Sequence, residues 1–425
     1  MALRILTPLA AALVLLAGSA STQTVDATRP DEARVRLAAE LRALADGADP
    51  APVGQRLAAL PPPTLLEALG SETLTVDGAA LDLGEREHAA LLQAARLLGR
   101  AAFVAPWHEA AAGADGAARR ATIELVGHLG TGVDADVAVR AATPLDERAP
   151  LDGPALERLE EAAKQLLARA PDALVGLRPP LLRTRPEVAG RILRAVGGSG
   201  DPRALEFLAD LLGFDEALDL PLLSEIERAS RATAPPFPER IRSRVRSYLA
   251  SSDRQLARSA AMTVAELEDE DSLPVLVELC ATSDPALAGA SYRALERTTG
   301  LALPRRAALW QAWMQGEQRW ARENGERVLA ALGGDDASAI VRALQEVAPH
   351  RLERQRFSLL AAQHLRHEDA RVRLEACRTL RALDSSAGRR ALKRATGDPD
   401  PLVAAAAQQA LGVEPESVAS AVTSQ

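Results

Sequence analysis

The chain has 425 residues, more than the roughly 250 to 300 at which a single hydrophobic core stops growing, so several domains or a repeat array are expected. Hydrophobic residues at 47% and charged residues at 25% argue against a disordered or membrane-embedded chain, and the abundant Ala, Leu, Arg and Glu favour helix. Aromatics at 3% speak against a rich ligand pocket, and a net charge of −8, with Lys164 and Lys393 the only lysines, speaks against nucleic acid, which needs concentrated positive charge.

In chain order, Arg4, the apolar stretch Ile5 to Ala17 and the small residues Gly18-Ser19-Ala20 read as a Sec signal peptide over 1–20. Its apolar run is too short to cross a ~30 Å hydrocarbon core as a helix. No cysteine follows it to carry a lipid, and no later segment is apolar enough to span a bilayer. The protein is therefore expected in the periplasm of a bacterium or outside the cell. Residues 21–100 show no clear repeat. Arg34 to Leu44 predicts an amphipathic helix, Pro61-Pro62-Pro63 a break, and Thr73 to Val76 with Ala80 to Leu83 a two-stranded hairpin around Asp77-Gly78. This part is expected to cap the end of the array, because an exposed terminal repeat needs a polar cover.

From about 101 onwards a spacing recurs: an apolar residue, a small or β-branched one four later, and a larger one four after that. It appears as Leu256, Ala260, Val264; Leu287, Ser291, Leu295; Val372, Ala376, Leu380; and Val403, Ala407, Leu411. Residues four and eight apart share one helix face, so each set predicts a buried stripe. Leu256 to Leu287 and Val372 to Val403 are both steps of 31 residues, long enough for two short helices and two turns. Eleven residues before each stripe stands Val245, Leu276, Ala361 or Leu392, which predicts the first helix of a hairpin. The turns are written in helix-capping residues, Ser283-Asp284-Pro285 and Gly397-Asp398-Pro399-Asp400-Pro401. Looser stripes occur at Val188, Ile192, Val196 and at Ala117, Ala121, Leu125.

These residues, and Asp369-Ala370-Arg371-Val372-Arg373-Leu374-Glu375-Ala376 above all, resemble the HEAT-repeat family, in particular its short form seen in phycobilisome-lyase-like proteins. The resemblance covers about 240 to 300 and 350 to 412. It implies an all-α, HEAT-like α-α solenoid of helical hairpins with an irregular N-terminal cap, and it says little about function. The expected organisation is a signal peptide over 1–20, an N-terminal helical cap over 21–100, repeats over 101–298, an insertion over 299–330, repeats over 331–412 and a disordered tail over 413–425.

The insertion carries Trp310, Trp313 and Trp320, which with Met314 and Glu317 share one helix face. Such a stripe either anchors the helix in the core or forms an aromatic contact patch for a partner. Cys280 and Cys377 each fall within a helical pattern and are read as small buried hydrophobes. Arg240, Arg242, Arg244 and Arg246, then Arg254 and Arg258, form the densest basic stretch, read as a solvated surface with acidic neighbours or as a patch for an acidic partner, with Arg242 and Arg246 as candidate contacts.

Catalytic signatures are few. Deoxyhypusine hydroxylase, a HEAT-repeat enzyme, binds two irons through several His-Glu pairs in facing repeats; His108-Glu109 and His367-Glu368 do not form that set. His364, His367 and Glu368 have the spacing of a local metal site, or they close the last turn of a helix. Gly130 to Ala135 fits a relaxed dinucleotide fingerprint but follows a helix where that motif needs a strand, so a helix terminus and turn are expected. The expected function is a non-catalytic scaffold for an unidentified protein partner, with no cofactor; the alternative is a metal-binding or metalloenzyme HEAT protein using the His364 cluster.

Overall fold

A computed structural model describes residues 30–76, 79–146 and 150–412. The expected signal peptide, the Asp77-Gly78 turn and the expected disordered tail lie outside these residues. By its internal contacts the chain divides into Met1–Leu97 and Leu98–Gln425.

The first unit holds α1 (Pro30–Ala45), α2 (Pro50–Leu57), α3 (Pro62–Gly70), the strands β1 (Thr73–Val76) and β2 (Ala79–Asp82), and α4 (Glu85–Leu98). Proline opens each of the first three helices, where its missing N–H costs nothing. The strands pair antiparallel with Thr73 opposite Asp82 and Leu74 opposite Leu81, and Thr73 Oγ1 donates to Asp82 at 3.0 Å. The core is formed by residues such as Leu37, Leu41, Leu57, Leu65 and Leu91, all fully buried.

The second unit is a run of helix pairs. They are α5 and α6 (Arg100–Ala112, Gly116–Leu129), α7 and α8 (Ala135–Ala142, Gly153–Arg169), and α9 and α10 (Ala173–Leu181, Pro186–Gly197). Next come α11 and α12 (Pro202–Leu211, Glu216–Ala232), α13 and α14 (Glu239–Ser247, Arg254–Glu266), and α15 and α16 (Leu273–Leu279, Pro285–Thr299). The last are α17 and α18 (Ala307–Leu332, Ala337–Val347), α19 and α20 (Arg354–Gln363, Ala370–Leu383), and α21 and α22 (Ser386–Ala395, Pro401–Ala410). Second helices pack directly on one another from α6 to α16 and again from α18 to α22. Each pair thus buries its apolar face against its neighbours, as a solenoid requires.

Local chemistry explains the periodicity. Every second helix except α10 begins at an aspartate whose carboxylate accepts a backbone N–H of the first turn, as Asp253, Asp284, Asp369 and Asp400 do for α14, α16, α20 and α22. Such a cap is worth about 0.5–2 kcal/mol and fixes where the helix starts. The stripes Leu287, Ser291, Leu295 and Val372, Ala376, Leu380 are buried as predicted, and so are Val188, Ile192 and Val196. In α14 the buried face lies one residue over, on Ala257, Ala260, Ala261 and Val264, leaving Leu256 half-buried. Small residues let helices close up: a Cβ on Gly127 of α6 would lie 2.7 Å from Ala162 Cα of α8.

The segment expected as an insertion is not outside the array. Its 26-residue helix α17 occupies a first-helix place, packing on α15 before it and α18 after it. Val328 and Leu332 join Ile340, Leu344, Phe357 and Val372 in the C-terminal core. Its length interrupts the stack of second helices between α16 and α18. Among the described residues no helix is long and apolar enough to cross a membrane.

Candidate functional site

Arginines link neighbouring repeats at several points. Along the second helices an ion-pair ladder runs from helix to helix: Arg158 of α8 to Glu124 of α6 at 3.2 Å, Arg194 of α10 to Glu160 of α8 at 3.0 Å, Arg231 of α12 to Glu266 of α14 at 3.3 Å, and Arg297 of α16 to the same Glu266 at 2.6 Å. Glu225 of α12 is buried beside Arg228, and burial raises its pKa. Other arginines close helix ends: Arg169 donates to the carbonyls of Gly127 and Gly130, Arg244 to that of Leu212, and Arg354 to that of Thr298. A planar fork of five donors serves two acceptors at once, which an ammonium on a flexible stem does less well. Stacked pairs with capped starts, closely packed second helices and a ladder between them define the architecture. The second unit is a HEAT-like α-solenoid.

No family model matches the chain, and no curated protein matches it. Solved structures similar to it include an engineered protein, 16% identical over 92% of this chain and 97% of that one with a TM-score of 0.29. Human deoxyhypusine hydroxylase in complex with glycerol is 16% identical over 69% of this chain and 96% of its own, with a TM-score of 0.26. The karyopherin Kap121p bound to the SUMO protease Ulp1p is 11% identical over 89% of this chain and 46% of its own, with a TM-score of 0.31.

Two concave surfaces stand out in the solenoid. The first is a trough of about 450 Å³ across α12, α14 and α16, with Ser224, Gln255, Ser259 and Gly289 on its floor and walls. Arg258 and Arg293 line it, both exposed and both without an ion pair or hydrogen bond among the described residues.

The second is a cleft of about 730 Å³ where the long α17 interrupts the array. Its apolar walls include Pro235, Pro236 and Phe237 before α13, Pro274 of α15 and Leu359 of α19. Its polar lining includes Arg242, Glu268, Glu270, Gln355, Arg356 and Arg390. Glu268 sits at φ +50°, a backbone region costly for a residue with a Cβ, and its Oε2 accepts from Gln355 Nε2 and, at 2.7 Å, from Ser386 Oγ. Glu270 Oε1 accepts the backbone N–H of Gln355 at 2.5 Å. Three turns between repeats, distant in sequence, are clasped here. Burial pushes the Glu270 carboxyl up to about 8; the Gln355 N–H and Arg354 oppose this, while Glu353 and Glu268 add to it.

The four arginines of α13 are all engaged. Arg240 pairs with Asp210 at 2.8 Å, Arg242 with Glu239 at 2.6 Å, Arg244 with a carbonyl, and Arg246 with buried Asp269 through two bonds of 2.6 and 2.7 Å. Of the two candidate contacts, Arg242 lines the cleft and Arg246 is held inward. Glu239, Asp269 and Asp271 bring three carboxylates close enough for a cation, but Arg246 already reaches all three and Arg242 reaches Glu239 and Asp269, so two guanidinium groups take up the place of one.

Of the three tryptophans of α17, one is buried and Trp313 and Trp320 are half-buried. Trp310 is fully buried with Trp313 edge-on at 5.6 Å, and Trp320 stacks on His350 at 3.5 Å between ring centres. Glu317, on the same face, accepts the backbone N–H groups of Arg351 and Leu352. Around the His364 cluster, His364 Nε2 lies 3.0 Å from the Leu332 carbonyl, and His367 Nδ1 accepts the backbone N–H of Asp369 at 3.0 Å. With Glu368 exposed, these residues do not bring three ligand atoms together; the histidines close the end of a helix pair. Burial lowers the His364 pKa, which favours the neutral ring. The Gly130 to Ala135 segment is a helix end and one turn of 3-10 helix, where Arg100 grips Asp134 through two bonds of 2.7 Å. Cys280 and Cys377 are buried free thiols.

The cleft is what sequence reasoning missed. The acidic run Glu268 to Asp271 was a visible signal, yet its partners Gln355 and Ser386 are 85 to 118 residues away.

Proposed function

We propose that this protein is an exported, non-catalytic scaffold whose second helices bind a protein partner in the bacterial envelope or outside the cell. The observation that carries the reading is the state of its arginines. Arg194, Arg231 and Arg297 are spent on the ion-pair ladder, whereas Arg258 and Arg293, unpaired among the described residues, both line the trough on α12, α14 and α16. Unpaired guanidinium groups over small side chains suit the carboxylates and carbonyls of a docked segment. Export rests on the pattern of residues 1–20.

The test is crosslinking and affinity capture from native envelope and medium, with the wild type beside Arg258→Glu/Arg293→Glu. Both side chains are exposed, so the variant should melt with the wild type. A partner captured by the wild type and lost from the variant supports the reading. Equal capture by both overturns the site, and stoichiometric metal in untagged protein, lost on His364→Ala, overturns the non-catalytic reading.

A further inference from the structure

We infer that the cleft between α13, α15, α17, α19 and α21 is a second binding site, which takes a lysine side chain presented by a partner segment. It is separate from the trough on the second helices, and either surface can fail its test without the other.

Most charges that line the cleft already have partners. Arg242 pairs with Glu239 and Arg356 with Glu353, so two of the three cleft arginines are neutralised on the spot. Asp271 is held by Arg246. Glu268 and Glu270 have no ion pair within 4.0 Å, although Arg354 acts on both from farther off: the first accepts from an amide and a hydroxyl, the second from one backbone N–H. Each carboxylate oxygen accepts more than one hydrogen bond, so both groups keep capacity for further donors. A compact ammonium with three donors supplies them.

The walls fit what carries that group. Pro235, Pro236, Phe237 and Leu359 offer apolar surface to a four-carbon stem, and Leu359 is 49% exposed, surface that an occupant would cover. At about 730 Å³ the cleft exceeds one side chain and accommodates the residues flanking the lysine. Arg390, unpaired at the edge, is placed for a backbone carbonyl of the same segment.

Glu270 gives the site a signature. Burial, with Glu353 and Glu268 adding to it and the Gln355 N–H and Arg354 opposing it, pushes its carboxyl up to about 8, which favours the protonated form at neutral pH. An arriving ammonium favours the ionised form, so binding releases the proton to the buffer. Non-specific association with the acidic surface releases none from this group.

The test is calorimetry on the full chain at pH 7 in two buffers of different ionisation enthalpy. The probes are acetyl-Leu-Lys-Gly-Leu-amide, its norleucine and glutamate counterparts, and 1,5-diaminopentane. The expected result is saturable binding of the lysine peptide with buffer-dependent heat. The norleucine peptide should bind at least about 10-fold more weakly, as should the lysine peptide to Glu268→Gln/Glu270→Gln, roughly the loss of one charge-assisted contact. Glu270→Gln alone, which imitates the protonated group, should melt no lower than the wild type and abolish proton release. Absence of saturation, equal binding of the norleucine peptide or tighter binding of the glutamate peptide overturns the site. Diaminopentane binding as tightly as the peptide overturns the partner segment in favour of a free amine. The probe comparisons use the wild type alone and do not depend on how a variant folds.

Discussion

Glu270 accepts the backbone N–H of Gln355 across 85 residues of chain, so the turn after α14 and the start of α19 are fixed to one another past the whole α17 and α18 pair. The contact is built on a carboxyl whose proton is held up to about 8, mainly by burial.

That position makes stability fall as pH rises from the acid range through neutrality. A carboxyl raised above its ordinary value contributes stability fully present below about 4.5 and lost as pH rises through about 8. The wild-type melting temperature should therefore fall from about pH 5 to about pH 8. Glu270→Gln should flatten that fall while matching the wild type near pH 5. Circular dichroism melts at pH 5, 7 and 9 check this, and parallel curves for the two proteins would refute it.

Gly127 tests close packing against helix propensity. In an exposed helix Gly→Ala gains up to about 1 kcal/mol. Here the new methyl would meet the Ala162 backbone at 2.7 Å, so Gly127→Ala should destabilise by about 1–3 kcal/mol, the usual cost of overpacking. Denaturant titration gives the sign directly.

Trp310 anchors the first half of α17 and is fully buried. Trp310→Ala should cost about 3–5 kcal/mol through the cavity it leaves. The exposed Leu309, one residue earlier, should tolerate alanine with a change within about 0.5 kcal/mol. Comparable losses at both sites, measured by chemical denaturation, would contradict the burial pattern of this helix.

Burial pushes the Cys280 thiol up to about 12 and the Cys377 thiol up to about 11. Since the thiolate is the nucleophile, neither should react with a thiol reagent in the native protein within minutes at pH 8, and both should react in denaturant. A fast native phase amounting to one thiol would place that cysteine at the surface.

The sequence by itself determined whatever is local. Residues four apart share a helix face, so the stripes at Leu287 and Val372 announced buried second helices. An aspartate before the first turn caps it in any fold, so Asp284 and Asp400 announced where helices start. The hairpin, read as Thr73 to Val76 with Ala80 to Leu83 and found one residue earlier in its second strand at Ala79–Asp82, and the burial of both cysteines belong to the same class. Tertiary structure alone decided which face meets which neighbour and which charges meet across the chain. A helical pattern at Trp310 says that a face is apolar, not whether core or partner covers it; only the packing of α17 on α15 and α18 turned it inward. Nor does any local rule pair Arg246 with Asp269, leave Arg258 and Arg293 free, or bring Gln355 and Ser386 to Glu268. Those relationships follow from how the repeats stack around the long α17, which is a property of the whole array and not of any window of its sequence.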